Sequence, residues 1–160
     1  MRIIFAVSAF FLLACNQPGN TVQLQKQVDS LKLQLANSYK PGLGELMAGI
    51  QVHHAKLWFA GQNENWKLAN FELNEIKEAV ETIQKSYPER DESKMLLHLF
   101  SPVLDSMDHA IQQTNSSVFK NTYVLLTNTC NNCHHVAGFA FNVVTIPSSP
   151  PFSNQDFKAK

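Results

Sequence analysis

Apolar residues recur at intervals of three and four along most of this chain, a spacing that is typical of amphipathic helices. Four such segments lie between residues 43 and 138, and short breakers around Gly61, Pro88 and Asn115 separate them. Long amphipathic helices joined by short loops bury their apolar faces against one another in an antiparallel up-and-down bundle. The sequence therefore predicts an all-α fold with an antiparallel four-helix bundle over residues 43–138.

Local signals set the expected ends of these helices. The expected limits are Leu43 to Gly61, Asn65 to Tyr87, Ser93 to Gln113, and Asn115 or Ser116 to Ala137. Tyr87 precedes a proline and so avoids the helical region, and Ser93 is a residue type that caps helices. Pro102 is expected to kink the third helix, and Gly138 stands where a helix end favours glycine. The apolar stripe expected on the third helix is Met95, Leu99, Val103 or Leu104, Met107 and Ile111.

Two further segments flank the bundle. Residues 15–42 are expected to form a tether and a stalk helix, because apolar residues there follow a 4-3-4 spacing. That stripe consists of Leu24, Val28, Leu31 and Leu35. We expect the stalk helix to pack on the bundle, and dimerisation through it stays open. Residues 139–160 contain three prolines and are expected to form an extended tail along the bundle.

The amino terminus has the features of an export signal. Arg2 precedes an apolar run of twelve residues, 3–14, whereas a helix that crosses a hydrocarbon core needs about 20. The run ends in Leu12-Leu13-Ala14-Cys15, which resembles a bacterial lipobox. That resemblance implies removal of residues 1–14 and lipidation of Cys15; an ordinary signal peptide with a chance cysteine is the alternative. A lipoprotein facing the periplasm or the cell exterior is expected, and Asn16 favours the outer membrane.

The charge balance excludes several kinds of partner. Thirteen Lys and Arg residues balance thirteen Asp and Glu residues, so nothing indicates a surface for nucleic acid or for an anionic membrane. Membrane attachment is therefore expected through the lipid alone. Near neutrality also argues against strong electrostatic steering toward a redox partner.

The chemistry lies in the sequence Cys130-Asn131-Asn132-Cys133-His134. C-x-x-C-H is the attachment sequence of c-type haem. On a helix, positions 130, 133 and 134 share one face, so two sulfurs can reach the two vinyl groups of one haem edge while the imidazole turns to the iron. The motif predicts one covalently attached haem c, held by Cys130 and Cys133, with His134 as the proximal iron ligand.

Two other uses of the cysteines are compatible with their spacing. A thioredoxin-like redox pair is placed at a helix N-terminus, whereas this motif lies near a helix C-terminus. A zinc site needs a fourth ligand, for which His135 has poor geometry. Both alternatives stay open.

The position of the motif on the last of four helices resembles the class II c-type cytochromes, the cytochrome c-prime group. The resemblance implies a haem near the end of the fourth helix, with His134 as the fifth ligand. The 22 residues that follow Gly138 depart from that pattern. A family of small exported bacterial cytochrome-like proteins is also similar, in the stretches His54 to Trp58, Asn65-Trp66, Glu72 and Pro151 to Phe157.

The sixth iron position decides between functions. Met47 lies about one turn into the first bundle helix, at the expected level of His134, and is the candidate sixth ligand; a methionine that fills a gap in the core is the alternative. His54 lies about 10 Å further along the helix at 1.5 Å per residue and is expected to be a hydrogen-bonded core residue. His53 is expected to be exposed. The other histidines expected at the surface are His98, His109 and His135.

The expected function is electron transfer by a lipid-anchored monohaem cytochrome, whose redox partner the sequence does not identify. The alternative is a five-coordinate haem that binds nitric oxide or carbon monoxide in an apolar distal pocket. A third alternative is a haem peroxidase, which needs a distal acid–base residue. His54 is the only candidate and is expected at a different level from the iron, so enzyme activity is not the expected function.

Overall fold

The computed structural model describes residues 18–38 and 40–159, and side chains of the first segment over 20–35. The export and lipidation predictions, Cys15 included, fall outside these residues. The chain forms two units, residues 1–40 and 41–160. The first contains the stalk helix α1 (Pro18–Ser38), and its stripe residues Leu24 and Leu31 are exposed. None of the described helices combines the length and apolar character needed to span a membrane.

The second unit is the predicted bundle. Its elements are α2 (Leu43–Gln62), α3 (Trp66–Ser86), α4 (Asp91–Met95), a π-helical turn (Leu96–Phe100), α5 (Ser101–Gln112) and α6 (Ser116–Val136). Helix α2 packs on α3, α3 on α5, α5 on α6 and α6 on α2, so four helical rods close a ring. The third rod consists of α4, the π-helical turn and α5, which follow one another without a loop. Short loops join consecutive rods, and the described residues contain no strand. The all-α fold is confirmed.

Two of the helix starts follow from asparagine caps. The Asn65 side chain accepts a hydrogen bond from the Leu68 backbone N–H at 3.2 Å. The Asn115 side chain accepts from the N–H groups of Ser117 and Val118 at 3.0 and 3.1 Å. Each cap satisfies N–H groups that have no partner within the helix, and such caps stabilise a protein by about 1 kcal/mol.

The third rod differs from the sequence expectation. The carbonyl of Arg90 accepts from the N–H groups of Ser93 and Lys94, so α4 starts at Asp91 and the expected cap at Ser93 is wrong. The interruption lies one turn before Pro102, where the Ser101 N–H bonds the Leu96 carbonyl in a π-helical turn. Pro102 has no N–H to donate, which removes one helical hydrogen bond at this point.

The π-helical turn also changes which apolar residues are buried. It inserts an extra residue into the turn and so rotates the register of the rod. Leu96 and Phe100 are buried as a result, whereas Leu99, expected on the core stripe, is 39% exposed. The expected stripe is wrong at that position and right from Leu104 onward, because α5 resumes normal spacing.

Aromatic side chains fill the middle of the bundle. Phe119 and Tyr123 of α6 are fully buried, and the Trp58 ring lies 4.7 Å from that of Tyr123, between centroids. Gly61 makes this packing possible, since a Cβ atom on it would overlap the ring of Phe119. These aromatic residues belong to the core.

The tail after α6 has no regular secondary structure and contacts α2 and the cap residue of α3. Phe157 is buried, with its ring centroid 5.7 Å from that of Phe59. The Asn65 side chain donates to the Lys158 carbonyl at 3.2 Å, so the cap residue of α3 also holds the end of the tail. The tail therefore lies along the bundle.

Replacing Gly61 with alanine should destabilise the bundle by about 1–3 kcal/mol, the usual cost of forcing extra volume into a packed core. Gly49 in the same helix is the matched control, because a Cβ there meets nothing within 4 Å. Gly49→Ala should stabilise by up to about 1 kcal/mol, since alanine favours helix over glycine. Urea unfolding followed by circular dichroism measures both. Equal effects of the two substitutions would contradict the described packing of Phe119.

Candidate functional site

A cavity of about 530 Å³ lies between α2, the third rod, the end of α6 and the start of the tail. Its volume is within the roughly 300–1,000 Å³ that small-molecule and cofactor sites occupy. The lining residues from α2 and the third rod are Leu43, Gly44, Met47, Ala48, Ile50, Gln51, His54, Arg90, Glu92, Met95, Leu96 and Phe100. Those from α6 and the tail are Cys130, Cys133, His134, Ala137, Phe139, Asn142 and Val144.

The two cysteines and the histidine of the C-x-x-C-H sequence all line this cavity. They lie on one face of α6 in its last two turns, as the spacing of three and four residues requires. Burial raises the pKa of the Cys130 thiol to about 12 and also raises that of Cys133. Both sulfurs are therefore protonated at neutral pH, which does not favour a reactive thiolate pair.

Helix α6 ends in a Schellman motif. Gly138 has φ of +83°, a conformation that glycine adopts without strain. Its N–H donates to the His135 carbonyl at 3.2 Å, and the Phe139 N–H donates to the His134 carbonyl at 2.7 Å. This turn directs the tail back beside the last turn of the helix.

The returning tail binds the imidazole of His134. Its Nδ1 lies 2.6 Å from the backbone carbonyl oxygen of Asn142. A carbonyl can only accept, so Nδ1 must carry the proton, and Nε2 of the neutral ring is left with a free lone pair. This arrangement, in which one ring nitrogen is held by a hydrogen bond and the other is free, is the one that metal-ligating histidines use.

The same segment is fixed a second time by Asn131, an intervening residue of the C-x-x-C sequence. Its side-chain amide donates to the Val144 carbonyl at 2.9 Å and accepts from the Val144 N–H at 2.8 Å. A primary amide that satisfies both backbone groups of one residue mimics a strand pairing and fixes its register. Asn142 and Val144 thus become part of the cavity wall.

Two methionines line the cavity. Met47, the candidate sixth ligand, comes from the first turns of α2, so the beginning of α2 and the end of α6 border the same space. Met95 comes from the end of α4 and was expected only as a core residue.

His54 lines the cavity but has both ring nitrogens engaged. Nδ1 lies 2.9 Å from the Tyr123 hydroxyl, and Nε2 lies 2.9 Å from the Thr127 hydroxyl. The two hydroxyls also contact the backbone carbonyls of His54 and Tyr123, at 2.8 and 3.0 Å. His54 is therefore a hydrogen-bonded core residue, and neither nitrogen is free to bind a metal ion or to accept a proton from a ligand.

The protonation state of His54 follows from its burial. A neutral imidazole and two hydroxyls carry three protons for four contacts, so a cationic ring would satisfy the geometry completely. Burial acts in the opposite direction and lowers the pKa of His54 to about 4. Both partners are neutral hydroxyls, which do not compensate a buried charge. The ring is neutral at pH 7.

Arg90 and Glu92 supply the formal charges among the lining residues. The guanidinium donates to both carboxylate oxygens, with Nη2–Oε1 at 3.0 Å and Nε–Oε2 at 3.2 Å. This hydrogen-bonded pairing lowers the pKa of Glu92 and raises that of Arg90. Arg90 is exposed, so the cavity has one charged, solvent-facing side beside otherwise mostly apolar walls.

A second polar cluster lies between α2 and α3, and its residues do not line the cavity. Glu72 is fully buried, and its Oε2 lies 2.7 Å from His53 Nδ1, while Lys56 Nζ lies 3.8 Å from Oε1. The expectation that His53 is exposed is wrong: its side chain is 23% exposed, because the ring turns toward Glu72. The remaining histidines, His98, His109 and His135, are exposed as expected.

Sequence reasoning missed Asn131, Asn142 and Arg90 as parts of the site. The x positions of C-x-x-C carry no expectation, and a backbone carbonyl such as that of Asn142 has no side-chain signature. Gly138 was the available signal, because a left-handed helix end reverses the chain and returns it toward α6. Arg90 stood in a loop with no periodicity to place it.

Within the described residues, no group of three or more His, Cys, Asp or Glu side chains could hold a metal ion by itself. His54 and Glu92 also line the cavity but are already hydrogen-bonded, so the donors left are the His134 imidazole, the two thiols and the two thioethers. The sequence matches no protein-family model, and no curated protein or solved structure is significantly similar to it.

The stability of the protein should fall as the pH is lowered from about 6.5 to about 4. In this range the unfolded state binds a proton at His54 that the folded state does not, so the free energy of unfolding decreases with decreasing pH. The difference between 6.5 and about 4 corresponds to roughly 3 kcal/mol. Chemical unfolding at a series of pH values measures this slope.

His54→Gln should flatten the slope of unfolding free energy against pH, whatever its effect on stability at pH 7. His98→Gln, at an exposed histidine, is the control and is compared with wild type over the same pH series. A His54→Gln protein with the wild-type slope would show that His54 titrates alike in both states, contrary to its buried, hydrogen-bonded position.

Proposed function

We propose that this protein is a monohaem c-type cytochrome that transfers electrons outside the cytoplasm. One observation carries the proposal: the C-x-x-C-H face of α6 borders a mostly apolar cavity, and His134 presents a free Nε2 to a ligand. The residues present fit a covalent haem. Cys130 and Cys133 would hold it through thioether bonds, and His134 would bind its iron.

The donor set favours haem over the other uses of two cysteines and a histidine. A structural zinc site needs four protein ligands, and no such group exists among the described residues. A haem iron needs only one or two ligands from the protein, because the macrocycle supplies the rest. The raised pKa values of the two thiols also disfavour a thiol–disulfide enzyme.

The walls of the cavity suit electron transfer better than catalysis. The apolar residues Leu43, Ile50, Leu96 and Phe100 line the cavity and would limit the access of water to a bound haem. His54, the one candidate acid–base residue for a peroxidase, has both nitrogens hydrogen-bonded. Bound haem would supply a one-electron redox centre, and the protein would contribute its ligands, its burial and a docking surface.

Met47 is proposed as the sixth ligand, since a thioether opposite a histidine raises the reduction potential of a haem. Cys15 is proposed to carry a lipid, which would anchor the protein to a membrane, with the outer membrane favoured. The redox partner would be met at the membrane surface. The lipobox-like sequence supports the lipid anchor, and the position of C-x-x-C-H on the last helix supports the relationship to the class II cytochromes.

A second candidate is a five-coordinate haem protein that binds nitric oxide or carbon monoxide. The apolar residues Leu43 and Ile50 beside Met47 favour it, because they would enclose a small apolar ligand if Met47 did not bind the iron. The coordination number of the iron distinguishes the two functions.

The test compares wild type with Met47→Ala and the matched variant Met95→Ala, which removes the other methionine of the cavity. Wild type should give the low-spin, six-coordinate spectrum of histidine–methionine ligation. Met47→Ala should lose the methionine-to-iron charge-transfer band, and its potential should fall by on the order of 0.1 V, within the range of about 0.8 V that axial ligands span. Met95→Ala should keep both.

High-spin iron in the wild type, with carbon monoxide bound on reduction, would favour the gas-binding protein instead. Loss of the charge-transfer band in Met95→Ala and not in Met47→Ala would assign the sixth position to Met95. Protein that carries no haem after export through a haem-attaching pathway would contradict both functions.

A further inference from the structure

The segment after α6 is bound to the helix at three successive places. The Schellman motif at Gly138 reverses the chain, the Asn142 carbonyl meets His134 Nδ1 at 2.6 Å, and the Asn131 amide pairs with both backbone groups of Val144. A further hydrogen bond, from the Asn142 N–H to the Phe139 carbonyl at 2.8 Å, closes the turn between them. Residues 138–144 are thereby held as one rigid strap, which we call the proximal strap.

The hydrogen bonds of Asn131 hold the proximal strap in position. The Asn142 side chain is exposed and makes no hydrogen bond to the described part of the bundle, so its carbonyl is placed by the residues on either side of it. On the amino-terminal side the Schellman motif holds it, and on the carboxyl-terminal side the two hydrogen bonds of Asn131 to Val144 hold it. Beyond Val144 the next residues, Thr145 and Ile146, are exposed.

The hydrogen bond that the strap makes to His134 has a chemical consequence. An acceptor on the second ring nitrogen fixes the orientation of a ligating imidazole and increases its basicity. A more basic ligand stabilises the more positively charged, oxidised iron. The strength of this bond therefore sets part of the reduction potential, and it depends on how firmly the Asn142 carbonyl is held.

We propose that Asn131 is a positioning residue for the proximal ligand: by binding Val144 it holds the Asn142 carbonyl against His134 Nδ1 and so lowers the reduction potential of the bound haem. The proposal rests on the proposed function, because it requires that His134 ligates haem iron. It assigns a role to an intervening position of the C-x-x-C-H sequence and to the tail that follows it.

The test is Asn131→Ala, with Asn132→Ala as the matched control. Asn132 is the same residue type at the other intervening position, and its side chain is exposed. Asn131→Ala should shift the equilibrium between oxidised and reduced protein about tenfold toward the reduced form, equal to about 59 mV for a one-electron couple. Asn132→Ala should keep the wild-type potential.

A second measurement follows the strap without use of the haem. The Val144 N–H should exchange slowly with solvent in wild type and Asn132→Ala, and rapidly in Asn131→Ala, because that variant removes its acceptor. Asn131→Gln keeps the amide group and should restore at least part of both the potential and the protection of Val144.

The outcomes separate the inference from the proposed function. Wild type with no haem, or with iron not bound by His134, would overturn the proposed function and the inference together. Haem bound by His134 with equal potentials in Asn131→Ala and Asn132→Ala would overturn the inference alone. A Val144 N–H that stays protected in Asn131→Ala would also overturn it, because the strap would then not depend on Asn131.

Discussion

The way in which α6 ends determines the geometry of the whole site. The spacing of three and four residues places the thiols of Cys130 and Cys133 and the imidazole of His134 on one face of the helix. Gly138 has a left-handed backbone conformation and turns the chain back beside them. Because the chain reverses there, carbonyl groups in the last turn of α6 accept hydrogen bonds from the N–H groups of Gly138 and Phe139. The carbonyl of Asn142 then accepts a hydrogen bond from His134 Nδ1. A helix that continued past Gly138 would leave this imidazole without a partner and the cavity without one of its walls.

Buried contacts with the rest of the bundle hold α6 in a fixed position. Phe119 and Tyr123 anchor α6 in the aromatic core, about three and about two turns before Cys130. Tyr123 and Thr127 also bind His54 of α2. Buried polar contacts of this kind are costly if broken, so they fix the rotation of α6 relative to α2. That rotation decides which face of α6 meets the cavity.

The sequence predicted the elements whose signals are local and failed where tertiary contacts decide. The asparagine cap at Asn115, the glycine end at Gly138 and the shared face of the C-x-x-C-H residues follow from residue type and spacing alone. The π-helical turn before Pro102 could not be predicted from the spacing of the apolar residues. The inserted residue changes which apolar side chains are buried only when the helix packs against its neighbours. His53 was missed because the buried carboxylate that it contacts, Glu72, lies 19 residues away on another helix. The strap was missed because Asn142 contributes a backbone carbonyl, which has no side-chain signature in the sequence.

The most direct test of the account is whether haem stays with the polypeptide when the fold is lost. The full chain would be produced in a bacterium that attaches c-type haem to exported proteins, then denatured, extracted with acidic solvent and analysed by absorption and mass spectrometry. We expect one haem per chain, retained in the unfolded protein and absent from a Cys130→Ser, Cys133→Ser variant. A chain of unmodified cysteine mass, or haem that is fully extracted, would contradict it.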